Sequence, residues 1–214
     1  MTVNDQTYEL YASGTAHGNK VMLMLEECGA PYRYTFVNLA AREHQTPEFL
    51  ALNPEGKTPV LVDPDGPGGR VVLSQSLAIV SYLADKTGKF LPQTAGERLE
   101  AQRYMAQVSS DIAGAFAGLF IFSRVFGQPD GETATYFAAQ ARRHLKVMDD
   151  RLANSPYLAG ETYTLADVLA APVAFQSVAI LPEGVDGYPN IARWTARLAE
   201  RPAVRRVFKL DAAA

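Results

Sequence analysis

The chain has 214 residues, 48% of them apolar, with 20 basic against 23 acidic side chains for a formal charge of −3. That is one or two globular domains, with no basic excess to neutralise a phosphate backbone, no apolar run near the ~20 residues of a membrane span, and a polar Met1 to Glu9 unlike a secretory leader, which argues against nucleic acid and membrane as partners. The single cysteine, Cys28, excludes an internal disulfide, a CxxC pair and a cysteine-based zinc cluster, and fits a reducing, cytoplasmic compartment.

Leu10 and Ala12 share one face of a first strand. Val21, Met24, Leu25 and Cys28 recur at helical spacing, and Gly29 and Pro31 end that helix. Tyr32, Tyr34 and Phe36 alternate with polar neighbours as a second strand, and a mostly polar connection with room for a short helix follows. Val60 to Val62 and Val71 to Leu73 predict a hairpin around the turn-forming run Asp63-Pro-Asp-Gly-Pro-Gly-Gly, and Leu77 to Leu83 a buried helix. The order β-α-β then β-β-α predicts a mixed sheet with helices packed on it.

Beyond Thr94 the periodic stretches are helical: one long helix through Met105, Val108, Ile112, Phe116 and Leu119, and another from Phe137 to Leu152. Leu165 to Val178 is nearly all apolar and predicts the centre of a bundle, with Pro172 as a kink; Ile191, Trp194 and Leu198 mark a last helix. The fold class is α/β plus all-α, with domains at 1–90 and 95–214 around a linker bracketed by Pro92 and Gly96. Thr164 and Asp167 form a capping box, a structural motif, and Cys28 on an apolar stripe reads as a packing residue.

Seven segments, in this order and spacing, resemble the cytosolic glutathione S-transferase family over nearly the whole chain. They are Ser13-Gly-Thr-Ala-His-Gly-Asn-Lys-Val, Leu25-Glu-Glu-Cys-Gly-Ala-Pro-Tyr, Pro47-Glu-Phe-Leu, Asn53-Pro-Glu-Gly-Lys-Thr-Pro-Val-Leu, Leu73-Ser-Gln-Ser-Leu-Ala-Ile, Tyr157-Leu-Ala-Gly-Glu-Thr-Tyr-Thr-Leu-Ala-Asp-Val and Arg201-Pro-Ala-Val. The bacterial nu class is the most similar, with theta and delta types next. The resemblance implies a thioredoxin-like N-terminal domain that binds glutathione, an all-helical C-terminal domain that contributes the electrophile pocket, and a homodimer. It implies glutathione as co-substrate and no metal.

The same resemblance assigns the site. Thr58 would present its backbone to the cysteinyl part of glutathione beside a cis Pro59, while Gln75 and Ser76 at a helix N-terminus would receive the γ-glutamyl carboxylate. As a helix opener, Ser76 also reads as an N-cap. Lys57 and His44 would face the glycine end, with Gln45 taking the place of His44 if that loop slips by one residue. Thr15, before the first helix, reads locally as its cap and also aligns with the residue that activates the thiol, and His17 is its rival for that role. Arg124 would reach toward glutathione, and Tyr104, Phe116 and Phe120 are candidates to line the electrophile pocket, although their helical spacing makes most of these aromatics core residues. Tyr11 lies one residue early, on the wrong face of its strand.

The implied activity is transfer of the glutathione thiolate to an electrophilic carbon, or glutathione-dependent reduction of a small disulfide. The alternatives are a non-catalytic glutathione-binding module and a glutathione-dependent cis–trans isomerase.

Overall fold

The computed structural model describes residues 7–213; most of the polar lead Met1 to Glu9 lies outside them. The chain divides into two compact units, 1–89 and 90–214.

In the first unit β1 (Tyr8–Ala12), α1 (Ala16–Cys28) and β2 (Tyr32–Phe36) form a parallel β-α-β crossover. Val21, Met24 and Leu25 of α1 are fully buried, and the helix ends at Gly29, whose φ of 64° is the left-handed conformation that glycine adopts without strain. A 3-10 turn at Glu43–Gln45 and the short helix α2 (Pro47–Leu52) fill the polar connection. Thr46 caps α2 and Pro47 opens it, where a missing N–H does no harm. Then β3 (Val60–Gly66) pairs antiparallel with β1 and with β4 (Gly69–Ser74), and α3 (Ser76–Thr87) returns across the sheet. The strand order is β2-β1-β3-β4.

The hairpin differs from expectation. The strand continues through Asp63 to Gly66, with a register irregularity between those residues that accommodates Pro64, so the turn is shorter than the composition implied. Asp63 is buried, and its carboxylate accepts hydrogen bonds from Tyr82 and Lys86, each at 2.5 Å, and from the Asp65 amide. Burial alone would raise its pKa, but those donors hold it below the usual carboxylate range.

The second unit contains α4 (Ala95–Gln107), α5 (Ala113–Phe120), α6 (Glu132–Ala153), α7 (Leu165–Phe175), α8 (Pro189–Leu198) and α9 (Pro202–Phe208). The expected single helix through Met105 to Leu119 is α4 and α5 joined by a π-helical turn at Val108–Ile112, with a second such turn at Ile121–Val125. Together they run unbroken over Ala95–Val125, 31 residues that include an 18-residue stretch of mean hydropathy 1.4. By length and composition that segment could cross a membrane, which corrects the expectation that no run comes close. Asp111 and Arg124 interrupt the apolar run in the sequence; in the fold 33% of the stretch is buried within the protein, with Phe116 and Leu119 in the core.

Helix α7 is buried along nearly its whole length, with Pro172 inside it. Thr164 and Asp167 make the capping box, and Asp167 does more than cap. Its carboxylate accepts the amides of Thr164 and Leu158, both at 3.0 Å, and the Trp194 indole N–H from α8 at 3.1 Å. Burial pushes its pKa up to about 6 against the pull of these donors.

Candidate active site

The sheet register builds the site. Tyr11 of β1 lies opposite Val60 of β3, so continuing that antiparallel pairing sets Ala12 against Pro59 and Ser13 against Thr58. The hydroxyls of Ser13 and Thr58 are accordingly 3.0 Å apart, and the Thr58–Pro59 bond is cis, as the resemblance implied. Ser13 also donates to the Thr15 hydroxyl oxygen at 3.5 Å.

Around this junction lies a cleft of about 210 Å³, lined by His17, Asn53, Glu55, Lys57, Thr58, Pro59, Ser74, Gln75 and Ser76. Six of the residues singled out in the sequence therefore meet in one place: His17, Lys57, Thr58, Pro59, Gln75 and Ser76. Asn53, buried, holds the loop that presents Lys57. Its side-chain amide donates to the Lys57 carbonyl at 2.7 Å and its oxygen accepts the Glu55 amide at 3.2 Å.

The start of α3 corrects the sequence reading in detail. Gln75, not Ser76, occupies the cap position, with φ 70° and ψ 108°, and makes no side-chain capping bond. A non-glycine residue at that φ is strained, and such strain persists only where surrounding structure enforces it. Here Gln75 donates to Glu55 at 3.1 Å, across the cleft wall. Ser76 is the first helical residue, buried, with its hydroxyl 3.4 Å from His17 Nδ1. The first amides of α3 thus have no side-chain acceptor at the cap, which leaves a partial positive end facing the cleft residues.

Thr15 caps α1, accepting the Gly18 amide at 3.5 Å, and is exposed. With Ser13 and Gly18 both donating to its oxygen, the Thr15 hydroxyl hydrogen is free to donate outward. His17, two residues on, has its pKa lowered to about 4, by burial first and by the Lys20 charge second. It is neutral at physiological pH, and too weak a base to take a proton from a thiol near 8.5.

His44 does not line the cleft. It sits in the Glu43–Gln45 turn, which packs on Gly56; its Nδ1 is buried without a hydrogen-bond partner, while neighbouring Gln45 donates to the Gly56 carbonyl at 3.4 Å. Gly56 has φ 61°, which glycine adopts without strain, and a Cβ there would crowd the His44 carbonyl oxygen at 3.1 Å. Arg124 stands exposed on the Ile121–Val125 turn of the helical unit. Of the three aromatics, Tyr104 is a fully buried core side chain whose hydroxyl accepts from Arg103 and Phe116 is buried too, as their helical spacing implied; Phe120 is 54% exposed. Tyr11 bonds Glu9 and packs by the Val37, Phe49 and Val60 cluster, away from the cleft residues.

Asn53, Glu55 and Ser74 of the lining, and Ser13 beside Thr58, were missed as site residues. Asn53 and Glu55 lie within the Asn-Pro-Glu-Gly-Lys segment and Ser13 opens the Ser-Gly-Thr-Ala-His segment, both of which carried the resemblance; only the β1–β3 register brings Ser13 to Thr58. Among the described residues no group of three or more His, Cys, Asp or Glu side chains is placed to hold a metal ion.

The glutathione S-transferase N-terminal domain family matches residues 16–86, and the glutathione S-transferase C-terminal domain family matches 116–202. The chain belongs to the glutathione S-transferase family. Disulfide-bond oxidoreductase YfcG of Escherichia coli is 32% identical, covering 91% of this chain and 91% of its own length. Among solved structures, a glutathione transferase family member from Pseudomonas fluorescens with two glutathione molecules bound has a TM-score of 0.88 at 32% identity, covering 97% of this chain and 94% of its own. A Pseudomonas putida glutathione transferase with one glutathione disulfide bound per subunit has a TM-score of 0.89 at 29% identity, covering 97% and 93%. The family thus includes glutathione transferases and a disulfide-bond oxidoreductase, and its thioredoxin-like and helical domains are those described above.

Proposed function

We propose that this transferase binds glutathione in the cleft at the β1–β3 junction and ionises its thiol for attack on a small disulfide or an electrophilic carbon. The observation that carries the reading is the meeting of an uncapped helix start at Gln75–Ser76 with the cis Thr58–Pro59 segment in one cleft. An extended anionic tripeptide matches that arrangement. Its γ-glutamyl carboxylate suits the α3 amides and the Ser76 hydroxyl, its ammonium suits Glu55, and its cysteinyl backbone pairs with the Thr58 main chain. Lys57 supplies charge to the glycine carboxylate. His44 or Gln45 would act from the adjoining turn.

In this reading the sulfur lies at the start of α1, where the Thr15 hydroxyl donates to the thiolate and His17 contributes a neutral imidazole. The thiol proton passes to solvent. For a disulfide, the thiolate attacks one sulfur, an S–S bond forms as the old one breaks, and the leaving group departs as a thiolate. A second glutathione then attacks the mixed disulfide, releasing the second thiol and glutathione disulfide. No protein cysteine is required, which suits a chain whose only one, Cys28, is buried with its thiol pKa raised by that burial. The relatives described above favour disulfide reduction; conjugation uses the same thiolate. A homodimer and a cytoplasmic location complete the proposal.

Calorimetry with glutathione and with glutathione disulfide, followed by turnover of hydroxyethyl disulfide and of an aryl halide, tests this. Binding with turnover of either substrate is the expected result. Binding without any turnover would favour a non-catalytic module, and no binding of either redox form would refute the assignment.

A further inference from the structure

Lys20 is a charge that the cleft residues do not explain. It lies on the second turn of α1, three residues beyond His17 and therefore on the same helix face. It is 1% exposed, and among the described residues no carboxylate pairs with it. Burial by itself brings its ammonium down to about 8, so it still carries charge at neutral pH. A buried, unpaired cation is destabilising, and an apolar side chain of similar length would serve packing better.

Helical side chains lean toward the N-terminus of their helix, which directs Lys20 back toward the Thr15–His17 end. Its charge is felt there, since it opposes protonation of His17. Among the described residues, the elements packed on α1 offer it no ionic partner. On β1, Glu9 accepts from Tyr11 and Arg33, and on α3, Lys86 is paired with Asp63; neither these groups, nor Asp85, nor the phenols of Tyr8, Tyr11 and Tyr82 perturb Lys20. The first turn of α1 contains no acidic residue.

We propose that Lys20 is the built-in counter-charge for an anionic sulfur held at the open start of α1, so that the site selects a thiolate over a thiol or a thioether. Lys20 acts through its field as a positioning residue, forming no bond to the ligand, and the thiol proton leaves to solvent. The inference deepens the glutathione reading and rests on it.

The test compares wild type with K20M, K20Q and K20R. For each, the ultraviolet absorbance of the thiolate is titrated in the glutathione complex, and the affinity for S-methylglutathione, which has no ionisable sulfur, is measured in parallel. K20M and K20Q are expected to raise the bound thiol's pKa by about one unit, roughly a ten-fold loss of thiolate below that pKa, while K20R keeps the wild-type value. All four proteins should bind S-methylglutathione equally. If K20M and K20Q bind both ligands with an unmoved thiol pKa, or lose both ligands equally, the role of Lys20 is refuted and the glutathione reading stands. Wild type that binds neither ligand overturns both.

Discussion

Helices α1 and α7 both begin at a threonine, and they are finished in opposite ways. At α7 the third helical residue is Asp167, whose carboxylate closes the box on Thr164 and also takes the Leu158 amide and the Trp194 indole. At α1 the same position is Gly18. A Cβ there would come within 2.5 Å of the Ser13 carbonyl oxygen, so no acidic residue could complete the cap. One helix start is therefore sealed with the chain's own anion and buried. The other is left with exposed Thr15 and with the Lys20 cation one turn on, and an external anion can complete it. The comparison teaches that the same local signal serves stability or chemistry according to what stands three residues later.

If α7 is the structural start, breaking it should hurt the fold most. Asp167→Ala leaves two backbone amides and an indole N–H buried without an acceptor, and we expect a loss on the order of 3–5 kcal/mol in denaturant unfolding. A loss under about 1 kcal/mol would show that water replaces the carboxylate.

A smaller effect is expected from His17. Its folded pKa of about 4 lies below the unfolded value near 6.5, so the unfolded chain binds the extra proton first. Stability should be complete above pH 6.5 and fall as pH drops toward 4, by on the order of 2 kcal/mol after allowance for partial exposure. His17→Asn should flatten that part of the pH–stability curve; an unchanged slope would assign it to other groups.

Thr15→Ala should be the mildest for the fold, about 1 kcal/mol or less for an exposed cap, yet turnover should fall roughly ten- to a hundred-fold. Thr15→Ser should restore turnover. Equal turnover in all three proteins would move the activating role away from Thr15, and a large stability loss in Thr15→Ala would erase the contrast with α7.

Much of this was legible from spacing. The stripe Val21, Met24, Leu25 and Cys28 located α1, the alternation at Tyr32–Phe36 located β2, and the Thr164–Asp167 pair located the start of α7. The hairpin was less legible, because Asp63 and Pro64 look like turn formers until Lys86 and Tyr82 arrive from α3 to make a buried aspartate acceptable. The π-helical turns at Val108 and Ile121 left no mark, since their side-chain pattern departs from helical period by only one residue. Tyr104 was ambiguous for a related reason: on an apolar helix, pocket and core aromatics share the same spacing.

The sequence by itself determined most of the elements, their order, the two capping threonines and, through seven ordered segments, the family. Those are local properties, set by dihedral preference and by the periodicity of apolar side chains. Only the tertiary structure decided that Ser13 meets Thr58, that Gln75 takes a strained cap beside Glu55, that His44 stands outside the cleft wall, and that Lys20 is buried with no carboxylate partner among the described residues. Each of those depends on strand register and on enclosure by segments distant in the chain, and desolvation is a property of the assembled surroundings rather than of any residue type.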